Sequence, residues 1–231
     1  MQRKIILLVA LAAVVFTSVD AMAQHPDVDA RKAEIMDMLD RGRWGEAYDA
    51  LTALERDIDL VGNRHDLEWV EYEKVRASVE LGVADAEALM HAYIKEYPSS
   101  IYRNEMLFML ASFYTDNGMM QEGERIFAEV DYKALDKRAR ERYDMRMGYI
   151  RFKEGDYLRA KSHLSKVSKM CDYYPHALYY TSYMYYADGE LGLAKDGFEK
   201  LASTDEYRGL APFYLLQIEY RKANYDYVIE E

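Results

Sequence analysis

One phrase of side chains recurs along this chain, and that recurrence limits what it can fold into more tightly than any other feature. Met147-Gly148 is followed by Phe152, Gly155, Tyr157, Ala160 and Leu164, and 34 residues later Ser182 is followed by Tyr185, Gly189, Leu191, Ala194 and Phe198. Another 34 residues on stand Leu215-Leu216, Tyr220, Ala223, Tyr225 and Val228. A copy 37 residues upstream reads Leu110-Ala111, Tyr114, Gly118, Met120, Gly123 and Phe127, and Gly42, Trp44, Ala47, Leu51 and Leu54 repeat the second half near the start. The order is large, small, turn, aromatic, small. A small residue on each of two helices lets their backbones approach while large neighbours fill the remaining volume. The glycine between them ends the first helix, because a positive φ costs it little.

Composition agrees with long helices. Only 12 Gly and 4 Pro stand against 22 Tyr and 13 Met, too little turn material for many short strands. Half the residues are apolar, so the chain can bury a core. The repeated residues resemble the tetratricopeptide repeat (TPR), a pair of antiparallel helices of about 34 residues. The resemblance implies an all-α, right-handed superhelical solenoid of helix pairs over residues 24–231. Repeats are expected to start near 28, 70, 104, 141, 175 and 209. The one at 70 is degenerate, with Arg76 and Glu80 where large apolar residues are usual, and the last is incomplete.

Local chemistry supports this reading. Tyr179 to Tyr186 looks like a strand on propensity, yet Ala194 and Phe198 keep the helix-pair spacing, so a helix is expected. Tyr97-Pro98-Ser99-Ser100 breaks one helix and supplies hydroxyl caps for the next. Such junctions look like those of the large exported repeat proteins of the Bacteroidota, and the chain resembles the amino-terminal portion of one. With no polar capping helix after Val228, the C-terminal end is expected to be covered by further repeats or by another subunit.

Residues 1–23 read as a secretory signal peptide: basic Arg3-Lys4, an apolar run from Ile5 to Phe16, and Ala21-Met22-Ala23 before Gln24. That run would span roughly 18 Å as a helix against a hydrocarbon core of ~30 Å, too short for a permanent anchor. No cysteine lies near the cleavage site to carry a lipid anchor. The expected location is the periplasm or cell envelope. A net charge of -11 gives no basic field for nucleic acid, and the single cysteine, Cys171, excludes an internal disulfide framework and any multi-cysteine metal site.

Candidate chemistry is sparse. Asp57, Asp59, Gly62 and Glu68 fall at positions 1, 3, 6 and 12 of an EF-hand-like loop, but Val61 cannot coordinate at position 5 and Arg64 adds a positive charge. Cys171 and His176 lack a third ligand, and His25, His65, His91 and His163 show no i, i+4 pairing. Ser99, Ser100 and Ser162 lack a nucleophile-elbow setting. Lys137, Arg138, Arg140, Arg142 and Arg146 form a basic cluster interrupted by Asp136, Glu141 and Asp144, expected as a solvated helix face or, in a sharper reading, a contact for an acidic protein. No enzyme activity, metal or cofactor is expected.

In arrays that resemble this one, the inner surface is lined by positions 2, 5, 9 and 12 of each first helix. Carried over, these positions give Tyr149 and Phe152, then Tyr179, Tyr183 and Tyr186, then Phe213 and Tyr220 as a protein-binding stripe. Large apolar area with a hydroxyl suits peptide recognition, although the same rings could pack between adjacent helices. The expected function is a non-catalytic protein-interaction scaffold. The alternative is the exported sensory or regulatory input domain of a longer signalling receptor.

Overall fold

The computed structural model describes residues 28–61 and 63–225, with the side chains of 59–61 left out. The signal segment, Gly62 and Val228 lie outside the described residues. All regular structure among the described residues is helical: α1 (28–40), α2 (Trp44–Val61), α3 (Arg64–Glu80), α4 (Ala86–Glu96), α5 (Arg103–Asp116), α6 (Met120–Phe127), α7 (Lys137–Lys153), α8 (Tyr157–Leu164), α9 (Tyr174–Ala187), α10 (Leu191–Leu201) and α11 (Ala211–Arg221). The chain divides into two compact units, Met1–Met106 and Leu107–Glu231, the division falling inside α5.

One turn chemistry closes every pair. Gly42, Gly82, Gly118, Gly155 and Gly189 all have φ between 66° and 84°, and Ala223 takes the same place with φ 60°. At each turn the next residue's N–H reaches five positions back into the helix: Arg43 to Met38 O, Val83 to Ser78 O, Met119 to Tyr114 O, Asp156 to Arg151 O, Glu190 to Tyr185 O (2.9–3.0 Å), and Asn224 to Glu219 O at 3.0 Å. The carbonyls at each helix end are thereby satisfied while the chain reverses within a few residues.

Within pairs, the small residues meet as the repeat predicts. A Cβ on Gly148 would lie 2.6 Å from Leu164 Cγ, and one on Gly123 would lie 3.1 Å from the Ala111 carbonyl. A Cβ on Gly197 would overlap the hydroxyl of Ser182. In the first unit Ile35 and Leu39 of α1 pack on Ala47, Leu51, Leu54 and Ile58 of α2, with Trp69 and Val70 of α3 completing the core. In the second, Ala160, Leu164 and Met184 centre one cluster, and Ala194, Phe198, Leu201 and Ile218 another.

The local expectations can be placed residue by residue. Tyr179–Tyr186 lies wholly in α9. Tyr97 caps α4, and Ser100 Oγ accepts the Tyr102 N–H at 3.0 Å just ahead of α5. At the degenerate repeat, α3 opens at Arg64 because Asn63 caps it, accepting the Asp66 N–H. Arg76 lies with its guanidinium 5.6 Å from the Trp44 ring centre, so a flat cation covers the surface an apolar side chain would have covered. The EF-hand-like spacing does not form a loop, because α2 continues through Val61 and Asp57 pairs with Arg31 at 2.5 Å.

The basic cluster on α7 is the solvated face that its composition suggests only at Lys137 and Arg138, which are exposed. Arg140 donates to the Tyr132 and Lys133 carbonyls, Arg142 lies 5.3 Å over the Phe108 ring, and Arg146 is bound by Asp116. Asp144, expected as an interruption among exposed cations, is 1% exposed. It accepts from Tyr132 Oη at 2.6 Å, His163 Nδ1 at 2.8 Å and Lys166 Nζ at 3.1 Å.

Two buried acids respond to pH with opposite sign. Burial alone would raise the Asp144 carboxyl, but the bonds from His163, Tyr132 and Lys166 outweigh it and hold the group below its usual 3.8. Its stabilising effect is present above that value and is lost as pH falls through the folded-state pKa. Glu73 of α3 is 3% exposed, and burial pushes it up to about 7, with Arg76 opposing and Glu105 and Asp40 reinforcing. Its contribution is full below 4.5 and is lost as pH rises toward 7.

Urea unfolding followed across pH checks both signs: Asp144→Asn should lose about 3 kcal/mol near neutral pH and flatten the acid limb. Glu73→Gln should remove the decline between 4.5 and about 7. Ala223→Gly should stabilise and Gly189→Ala destabilise, each by about 1 kcal/mol, read as opposite shifts of the urea midpoint.

Candidate functional site

A cleft of about 360 Å³ in the second unit is built by three successive first helices of the repeat. The last turn of α5 supplies Thr115 and Asp116, α7 supplies Met145, Arg146 and Tyr149, and the start of α9 supplies His176 and Tyr180. The floor rests on the repeat itself: Gly118 turns the chain at one end, and Tyr173 sits at the cap of α9 at the other.

Some of its polar groups are already paired. Arg146 donates through Nη2 to both Asp116 oxygens at 2.8 and 3.2 Å, and its side chain is 13% exposed. His176 Nδ1 lies 2.7 Å from Tyr207 Oη. Tyr180 packs on Tyr149 and Phe152 at 5.2 and 4.9 Å between ring centres, and burial raises its hydroxyl pKa. The cleft thus offers aromatic faces, hydroxyl edges, a constrained guanidinium and the adaptable side chains of Met120 and Met145. Such a surface can hold an extended backbone by hydrogen bonds and take a side chain between the rings.

The structure scatters the seven residues of the expected stripe. Tyr149 lines the cleft. Phe152 turns inward onto Tyr157, Tyr180 and Tyr183. Tyr179, Tyr183 and Tyr186 converge on Tyr214 of α11 at 5.8–6.1 Å, and Tyr179 also stacks on Tyr207 at 4.9 Å. These three are half-buried between α9 and its neighbour. Phe213 and Tyr220 remain 53% and 56% exposed on α11. Sequence reasoning missed Tyr180 and Tyr214, the two rings on which the others meet. Their signal was in the tyrosine run and the repeat spacing, since Tyr214 lies 34 residues after Tyr180.

Cys171 is half-buried, and burial pushes its thiol up, with Glu141 and Asp172 adding to the effect. Among the described residues no three His, Cys, Asp or Glu side chains gather as a metal site, and no helix is long and apolar enough to cross a membrane.

Stacked helix pairs joined by left-handed turns, with small residues at each crossing, define a TPR-like helical repeat. Among solved structures the chain is similar to the apo form of the quorum sensor NprR from B. thuringiensis, with TM-score 0.57 and 16% identity over 90% of this chain and 67% of that one. NprR in complex with its cognate peptide NprX matches with TM-score 0.47 and 17% identity, over 81% and 59% of the two chains. At this identity the likeness is one of fold. No family model and no curated protein matches the sequence.

Tyr183→Ala combined with Tyr186→Ala should cost about 2 kcal/mol or more, because both rings leave Tyr214. Phe213→Ala should change stability by less than about 0.5 kcal/mol, and urea midpoints compare the two.

Proposed function

We propose that this protein is a non-catalytic scaffold that binds a peptide or an extended segment of a partner protein. The observation that carries this reading is the convergence of α5, α7 and α9 on one aromatic and hydrogen-bonding cleft. A static, pre-formed site lowers the ordering cost that an extended ligand imposes. The quorum sensor NprR, whose apo form shares the fold, has a cognate peptide, which supports the same ligand class. Residues 1–23 and the resemblance to exported repeat proteins of the Bacteroidota support a setting in the periplasm or at the cell envelope.

The fold likeness to a quorum sensor also favours a second reading, an exported sensory or regulatory input domain of a longer receptor. A reading frame that continues into an apolar stretch of about 20 residues and an output domain would select it.

One experiment tests site and setting together. The full chain is expressed in a bacterium, recovered from the envelope fraction and used to select peptides from a random display library. The recovered protein should begin at Gln24. Tyr149→Ala should weaken selected peptides by roughly tenfold or more without changing helicity, as expected for an aromatic hot spot. Retention of residues 1–23, or peptides indifferent to Tyr149, would overturn the corresponding part of the proposal.

A further inference from the structure

A second cleft, of about 500 Å³, lies in the first unit and has a different chemistry. Three helices each present one stripe to it: Tyr48 and Glu55 from α2, Glu71, Lys74, Val75 and Ser78 from α3, and Leu89, Ala92, Tyr93, Lys95 and Glu96 from α4. Positions seven apart on α2, α3 and α4 give the cleft a length of roughly 10 Å, about two helical turns. Its volume falls in the range of small-molecule sites, about 300–1,000 Å³. Val75, Leu89, Ala92 and the ring of Tyr93 make an apolar floor.

The charges of this cleft do not balance. Lys74 Nζ lies 2.6 Å from Glu55 Oε2 and 5.7 Å from the Tyr48 ring centre, so its positive charge is committed. Ser78 donates to the Lys74 carbonyl at 2.8 Å. Glu71 is different. It accepts from the Tyr97 hydroxyl, and among the described residues no cation forms an ion pair with it. Glu55 and Glu96 add negative potential, only partly opposed by Lys74. Lys95 is exposed and forms no ion pair with Glu71, so three carboxylates face two ammonium groups and the half-buried Glu71 beside the apolar floor has no ion-pair partner of its own.

We propose that this cleft binds an amphiphilic organic cation, with an ammonium head against Glu71 and an apolar body along Val75, Leu89 and Tyr93. An alkyl chain of about eight carbons matches the two-turn length. The ammonium supplies the missing counter-charge, while the body displaces water from carbon surface. A carboxylate head of the same length would meet the like charge of Glu71, Glu55 and Glu96, which outnumber Lys74 and Lys95. The site is separate from the peptide cleft, which belongs to the other unit.

The test uses the full chain and three probes of equal length: n-octylammonium, 1-octanol and octanoate, each titrated by calorimetry at neutral pH. Octylammonium should bind tightest and octanoate weakest. Glu71→Gln should weaken octylammonium by about tenfold, the loss of one charge-assisted hydrogen bond, and leave octanol unchanged. Ala92→Trp, on the exposed side of α4, should block all three while circular dichroism stays helical. Burial raises the Glu71 carboxyl above its usual 4.5, so octylammonium affinity should fall on acidification while octanol affinity stays level. Octanoate binding as tightly as octylammonium, or full octylammonium affinity in Glu71→Gln, would overturn the proposal.

Discussion

Everything in this structure depends on how closely two helix backbones can approach across a very short reversal. The reversal itself is a matter of backbone conformation: one residue with φ near +60° to +85° lets two N–H groups turn back onto the helix they have just left. The approach is a matter of side-chain volume. Where Gly148 faces Leu164 and Gly123 faces Ala111, even a methyl group would collide. The two constraints act together, since a tight turn delivers the second helix at one angle and the small residues then let it settle. Ala223 shows which is the more tolerant. It holds the turn at φ 60° without being glycine, with the same reach back to Glu219.

Close approach also explains where the charge goes. A first helix in such an array packs against its own partner and against the next pair, so it has little purely solvent-facing surface. α7 carries many charges over its seventeen residues, yet several of them are buried or half-buried. The array accommodates several of them by matching them to partners: Asp144 to three donors, Arg146 to Asp116, Arg151 to Glu124 and Glu154. Pairing and hydrogen bonds offset much of the desolvation cost of a buried ion, whereas the same ion left alone would disrupt the stack. Glu73 is less completely satisfied. Its Oε2 lies 3.1 Å from Arg76 Nε without hydrogen-bond geometry, and burial pushes its proton affinity up rather than down.

These facts set the limit of what could be read from the residues alone. Small and turn positions were legible because volume and backbone conformation are intrinsic to Gly, Ala and Ser. Gly148, Ser182 and Gly123 therefore sit where the repeat places them, and the tyrosine run of α9 is helical despite its strand propensity. The fate of α7's charges was not legible. Whether Asp144 meets water or Tyr132, His163 and Lys166 is decided by segments 12 to 22 residues away, and no local pattern encodes that pairing. The candidate cleft was half legible. Tyr149 belongs to it, but Arg146 reads from its neighbours as part of a basic face and no stripe position marks Tyr180, because the cleft is made by juxtaposing three helices rather than by one stripe.

Tyrosine is what allows the same positions to serve packing and recognition. A ring such as Tyr180 lies against Phe152 and Tyr149 while belonging to the wall of the cleft. A leucine could supply the buried area but would offer no donor or acceptor at the edge, and a phenylalanine would lose the hydroxyl while keeping the ring. Tyr179, Tyr183 and Tyr186 show the other end of that range: their rings meet Tyr214, and Tyr179 Oη lies 3.4 Å from Tyr214 Oη. The boundary between core and binding surface therefore runs through individual side chains. Removing a whole ring tests stability and recognition at once, while removing only the hydroxyl separates them, because the ring governs the packing and the oxygen governs the hydrogen bond.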